Sequence, residues 1–176
     1  MSFFDFYHIF NVKDHLQYKE RILNRIITLN SKSLITIPNK IPISKSDWNR
    51  QGVTAWYSFA LSKRDREKYE KSIRRKYWEK RKPVQVNSWF NQYNPRSGSE
   101  HPTHDHPDVD LTNIYFVELE DVSLGTILKN PRTGKEMNIK VKEGQILSFP
   151  ATILHRSPPN LTDSRKTVIS FNTRFL

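Results

Sequence analysis

The sequence predicts a mainly β fold, a two-sheet sandwich or barrel over residues 84–176, braced on one face by helices from residues 1–83. Three observations carry this. Two segments of the first half repeat apolar residues at helical spacing. From Val84 the period changes to alternation, in six or seven short segments rich in aromatic and β-branched residues. Turn residues separate those segments regularly, as in a sandwich or barrel.

The elements follow in order. Asp14 to Leu29 reads as an amphipathic helix, with Leu16, Leu23, Ile26 and Ile27 between charges. Residues 30–46 hold Pro38 and Pro42 and read as a connector or edge strand. Ser62 is the expected cap of a second helix, Lys63 to about Lys82, stopped by Pro83. Its apolar stripe is thin: Tyr69, Ile73, Tyr77 and Trp78. VQVNSWFNQY (84–93) is the first strand, and turn-like residues 94–102 follow. LTNIYFVEL (111–119) is the second and residues 124–128 the third. NPRTGKE is a turn by its Pro and Gly, and MNIKVK (137–142) is the fourth strand. QILSFP (145–150), ATILHRS (151–157) and RKTVISFNTRF (165–175) complete the set. No internal repeat or low-complexity linker interrupts the chain, so its 176 residues read as one domain.

Composition narrows the function. Four Trp, seven Tyr and ten Phe argue against general disorder. No apolar run approaches the ~20 residues that span a bilayer, and MSFFDFYHIF lacks the basic start and cleavage site of a signal peptide. The expectation is a cytoplasmic protein that does not enter membranes. The absence of cysteine excludes a disulfide scaffold, thiolate metal sites and a thiol nucleophile. The net charge of +11 lies wholly in residues 1–88, with 19 Lys and Arg against 8 Asp and Glu. Residues 89–176 carry 10 of each, and in that neutral half stand His101, His104, His106 and His155.

His104-Asp105-His106 precedes a strand, and His155 lies 49 residues later near the end of another. On extended backbone i and i+2 point the same way, so His104 and His106 can share one ion while Asp105 points away. Imidazole suits iron, zinc, copper or nickel. The competing reading is a solvated polar loop, HPTHDHPDVD, with His155 a separate, partly buried residue.

Five pieces of the second half, in order, resemble the iron(II)- and 2-oxoglutarate-dependent dioxygenases, in particular a small bacterial and phage-type, prolyl-hydroxylase-like branch. They are SWFNQY, HDHPDVDLTNIYFVEL, NPR, EGQILSFPATILHRSPPN and SRKTVISFN. The resemblance spans about Val84 to Phe175. It implies a double-stranded β-helix, a jelly-roll or cupin-like barrel. It implies Fe(II) held by His104, His106 and His155, with 2-oxoglutarate and O2 as co-substrates and succinate and CO2 as products. The wider superfamily has a carboxylate at the second ligand position. Here that position is His106, and Asp108 is the alternative carboxylate. The implied co-substrate arginine is Arg165, ten residues after His155. A guanidinium binds a carboxylate through two parallel hydrogen bonds, and strand parity adds the Thr167 hydroxyl. Tyr93 resembles an upstream tyrosine that contacts the co-substrate. The remaining reading of Arg165 is a solvated residue at a strand's start, and of Tyr93 a core aromatic. Asn91 and Asn172 are weaker candidates for the pocket lining.

Residues 63–82, with 11 basic and 4 acidic side chains, suggest an acidic partner, nucleic acid included, or else a solvated helix face. Two other functions compete: a cupin-type metal barrel with different chemistry, and a basic binding protein on the same fold. The prime substrate and the oligomeric state are not written in the sequence.

Overall fold

A computed structural model describes residues 6–28, 43–47 and 61–176. The strands are β1 (His8–Asn11), β2 (Lys45–Ser46), β3 (Pro83–Tyr93), β4 (His101–His104), β5 (Leu111–Leu119), β6 (Ile127–Lys129), β7 (Glu136–Asn138), β8 (Gln145–Pro150), β9 (His155–Ser157) and β10 (Lys166–Phe175). The helices are α1 (His15–Thr28) and α2 (Lys63–Tyr77). A six-stranded sheet runs β1-β8-β5-β10-β3-β2 and a four-stranded sheet β4-β9-β6-β7. Every pairing is antiparallel. This is the double-stranded β-helix. No helix among the described residues is long and apolar enough to cross a membrane.

The larger sheet is apolar on both faces, because each covers something. Tyr93, Ile114, Phe116, Leu147, Phe149 and Val168 face the smaller sheet and form the barrel interior with Leu124, Leu128 and Ile139. Phe90, Tyr115, Val117, Ile146 and Ile169 face outward and receive Tyr18, Ile22 and Ile26 of α1 and Tyr69 and Ile73 of α2. Thr167 pairs with Glu118 and Val168 with Phe116, a bulge that leaves Val117 without an opposite residue on β10. Polar pins fix α2: the Tyr69 hydroxyl donates to Asn113 at 2.6 Å, and the Tyr77 hydroxyl donates to the Ser148 carbonyl at 2.8 Å. Ser62 caps α2 as expected, accepting from the Asp65 N–H at 3.2 Å.

Several expectations shift. The first helix turns Tyr18, Ile22 and Ile26 inward, a clean i, i+4, i+8 row. Leu16 and Ile27 are 76% and 73% exposed. The second helix stops at Tyr77, and Trp78 lies off its buried stripe against Phe175. β1 and β4 were not anticipated. β1 extends the larger sheet beside β8, and β4 falls within residues expected as turn and loop. The third strand is β6, preceded by a 3-10 turn at Val122–Leu124. The fourth is reduced to β7, whose buried continuation Ile139 and Val141 leaves the ladder. Of the connector, residues 30–42 lie outside the described residues, and Lys45–Ser46 pairs with β3 as an edge strand.

Candidate metal centre

The site is built by two short strands of the smaller sheet. In the β4–β9 pair His104 stands opposite His155, so the ladder sets their rings side by side, with centroids 4.2 Å apart. The chain then leaves β4, and the His106 N–H donates to the Ala151 carbonyl at 2.9 Å. That bond holds His106 against the other two, with ring centroids 5.1 Å from His104 and 5.2 Å from His155. Asp110 locks the loop from the far side: its carbonyl accepts from Ala151 and its carboxylate from the Phe175 N–H at 2.7 Å. Trp89 stacks on the other face of His106 and Phe149 meets His155 edge-on. The three imidazoles each bring one ring nitrogen within 4.8 Å of the others.

Whether they suit a metal is decided by what holds the other nitrogens. His104 Nδ1 lies 2.7 Å from the Pro102 carbonyl and His155 Nδ1 lies 3.0 Å from the Ile153 carbonyl. A carbonyl only accepts, so each Nδ1 carries the proton and each Nε2 keeps its lone pair. His106 Nδ1 lies 3.2 Å from the Asn172 amide nitrogen, while Asn172 Oδ1 is buried with no hydrogen-bond partner among the described residues. Half a turn of the amide exchanges these atoms. Oδ1 then accepts from Nδ1–H, and His106 joins the same tautomer. The donor set therefore fits a divalent ion bound through three Nε2 atoms. Loss of the water shell keeps the imidazoles uncharged: burial holds His106 down to about 4 and His155 down to about 3, and lowers His104.

Two predictions arise here. Asn172→Ala removes the partner that sets the His106 tautomer, and divalent metal affinity is expected to fall about ten- to hundredfold. An unchanged titration would make Asn172 a bystander. In the metal-free protein, unfolded histidines take up protons below about pH 6.5, whereas the folded ones resist until about 4 for His106 and about 3 for His155. Their contribution to stability is complete above about pH 6.5 and is lost with acidification through that window. The urea midpoint, followed from pH 7 to 4, is expected to drop steadily, and a flat profile would contradict the assignment.

The other candidates divide. Tyr93 is buried on the barrel side, and burial raises its phenol. Asn91 also lines the pocket beside the histidines. His101 lies 4.0 Å from His104, centroid to centroid, but is not among the three whose nitrogens converge. Asp108 is exposed, and its carbonyl accepts from Arg174 at 2.7 Å. Arg165 and Thr167 do not reach the pocket. Arg165 forks outward onto Glu118, at 3.0 and 2.8 Å, and Thr167 bonds Gln92 and Glu118 on that same outer face. The parity is one residue off, because Lys166 is the first residue of β10 and points inward.

Lys166 is what the sequence reading missed. Its side chain is buried, and Nζ donates to the Leu124 carbonyl at 2.6 Å and the Ser157 hydroxyl at 2.8 Å. It stands 5.0 Å over the Tyr93 ring. Both oxygen partners are neutral, and burial lowers the ammonium to about 7. An ammonium has three donors, so one remains for an anion in the pocket.

No family model matches the sequence, and no curated protein matches it. Solved structures do. A viral collagen prolyl hydroxylase from Paramecium bursaria Chlorella virus-1, in a 2-oxoglutarate complex, is 14% identical with a TM-score of 0.62, over 98% of this chain and 97% of that one. A Pseudomonas putida prolyl-4-hydroxylase is 11% identical with a TM-score of 0.64, over 96% and 91%. The non-heme alpha-ketoglutarate-dependent epimerase SnoN from nogalamycin biosynthesis is 12% identical with a TM-score of 0.64, over 96% and 77%. The chain has the fold of the 2-oxoglutarate- and iron(II)-dependent oxygenases, the double-stranded β-helix.

Proposed function

We propose that the chain is an iron(II)- and 2-oxoglutarate-dependent oxygenase, most simply a hydroxylase, that releases succinate and CO2. The observation that carries this is the pairing of three neutral imidazoles with a buried, anion-seeking Lys166 in one pocket between the sheets. His104, His106 and His155 would hold the iron, which when bound supplies the oxidation chemistry with O2 and the oxo-acid. Lys166 takes the far carboxylate of 2-oxoglutarate. Ser157 steadies its Nζ from below, and the buried Tyr93 ring shields it from water. Trp89, Ile114 and Val168 wall the pocket and exclude solvent. No side chain is needed as an acid or base.

The pocket names no prime substrate. The exposed Lys63, Arg64, Lys68, Lys71, Arg74 and Arg75 of α2 make acidic partners, nucleic acid included, the first class to screen. The activity test is anaerobic loading with iron(II), then addition of 2-oxoglutarate. The expected result is a weak visible charge-transfer band and, in air, slow succinate release that a true substrate accelerates. Iron binding without either response would leave the metal centre and remove the oxygenase.

A further inference from the structure

We propose that α2 binds a single-stranded polynucleotide along its exposed face, with phosphates on a row of four cations and a base on Trp78. This goes beyond the oxygenase reading and does not rest on it. The row is Arg64, Lys68, Lys71 and Arg75, at i, i+4, i+7 and i+11, so the four lie on one side of the helix. All four are exposed, and none has a carboxylate within ion-pair distance among the described residues. They span about 16 Å, in steps of about 4.5–6 Å, comparable to one nucleotide of an extended strand. The acids of α2 are engaged elsewhere or drawn in. Asp65 is buried and accepts from the Tyr18 hydroxyl. Glu67 lies 3.9 Å from Lys63. Glu70 is half-buried, and burial raises its carboxyl.

The row leads to an aromatic platform. Just past the helix end Trp78 is 44% exposed, with the Arg81 guanidinium 4.6 Å from its ring centre. Lys80, Arg81 and Lys82 beside it are exposed. A cationic track ending on an exposed indole holds unpaired bases, by charge along the backbone and by stacking on the ring. An acidic protein would answer the cations but give the indole no role, and in a duplex the bases are already stacked on one another. Trp78 also meets Phe175, whose N–H donates to the Asp110 carboxylate. The Asp110 carbonyl accepts from Ala151, and the Ala151 carbonyl accepts from His106. A strand lying on α2 therefore reaches the end of the barrel that carries the His106 loop.

The experiment is fluorescence anisotropy of a short labelled oligothymidylate with the full chain, from low to physiological salt. Saturable binding is expected. Log affinity should fall against log salt with a slope of about 3 or more, from four phosphates at ~0.7 each. Replacing Arg64, Lys68, Lys71 and Arg75 together by Gln keeps a good helix former at each exposed position, and the slope is expected to drop by about 3. Trp78→Leu keeps an apolar contact for Phe175 and removes the ring. It is expected to weaken the strand about fivefold or more with the slope unchanged, since it removes stacking and no charge. No binding at low salt overturns the proposal, as does an unchanged slope in the quadruple variant or an unchanged affinity in Trp78→Leu. A polyglutamate of equal charge that displaces the strand at equal concentration assigns the row to an acidic protein, and that overturns it too. Should the quadruple variant fail to fold, Lys68→Gln with Lys71→Gln decides: a slope lower by about 1.4 is expected, and no change sinks the proposal. Iron(II) and 2-oxoglutarate titrations of these variants are expected to match the parent, so failure here leaves the oxygenase reading standing and failure there leaves this surface.

Discussion

His155→Ala is expected to abolish stoichiometric iron(II) binding while the fold survives. The ring sits opposite His104 in the β4–β9 ladder and packs edge-on against Phe149. Alanine keeps the backbone pairing and removes one of three donors. Losing an outer partner of a ligand costs about ten- to hundredfold in metal affinity, and losing the ligand itself should cost more. Calorimetric titration with iron(II) or cobalt(II) under anaerobic conditions measures it, with circular dichroism as the control for folding. Asp108→Ala separates this ligand set from the one with a carboxylate. The Asp108 side chain is exposed and only its carbonyl is engaged, by Arg174. That substitution is expected to leave the titration unchanged. If His155→Ala still binds one equivalent tightly, or Asp108→Ala does not, the three-histidine centre is wrong.

The two layers of this protein differ in how legible they are from residues alone. His104 and His106 were readable because i, i+2 spacing on extended backbone puts two side chains on one face, whatever surrounds them. The long strands were readable because nine to eleven residues rich in aromatic and β-branched side chains outvote local noise, as in LTNIYFVEL. The short elements were not. β4 is four residues of HPTH, which by composition is a polar loop, and only pairing with β9 makes it a strand. Parity failed in β10 for a physical reason. Both faces of the larger sheet are covered, one by the smaller sheet and one by α1 and α2, so apolar alternation does not say which side is in. Thr167, Ile169 and Phe171 look no less like barrel interior than Val168 and Ser170. The signal that separates them is Glu118 on β5: a carboxylate within reach of Arg165 marks that face as the one where an arginine is already answered.

That difference of one residue sets the second large effect. Lys166→Met is expected to weaken 2-oxoglutarate about ten- to hundredfold, the range of a hydrogen bond to a charged group, whereas Arg165→Ala changes it less than about twofold and costs at most ~1 kcal/mol of stability. Arg165 is 44% exposed and spends its fork on Glu118. Lys166 is 2% exposed, and its hydrogen-bond partners among the described residues are the neutral Leu124 carbonyl and Ser157 hydroxyl. Methionine is close in shape, and removing a buried charge relieves its desolvation, so folding should be nearly unaffected. Burial places the ammonium at about 7. A carboxylate beside it favours the charged form, so 2-oxoglutarate binding above that pH should draw in a proton. Calorimetry in two buffers of different ionisation enthalpy reads that proton in the parent protein, and it should vanish in Lys166→Met. The apparent constant for 2-oxoglutarate in uncoupled turnover gives the affinities. A large loss in Arg165→Ala with none in Lys166→Met would return the co-substrate to the outer arginine, which this geometry turns away from the pocket.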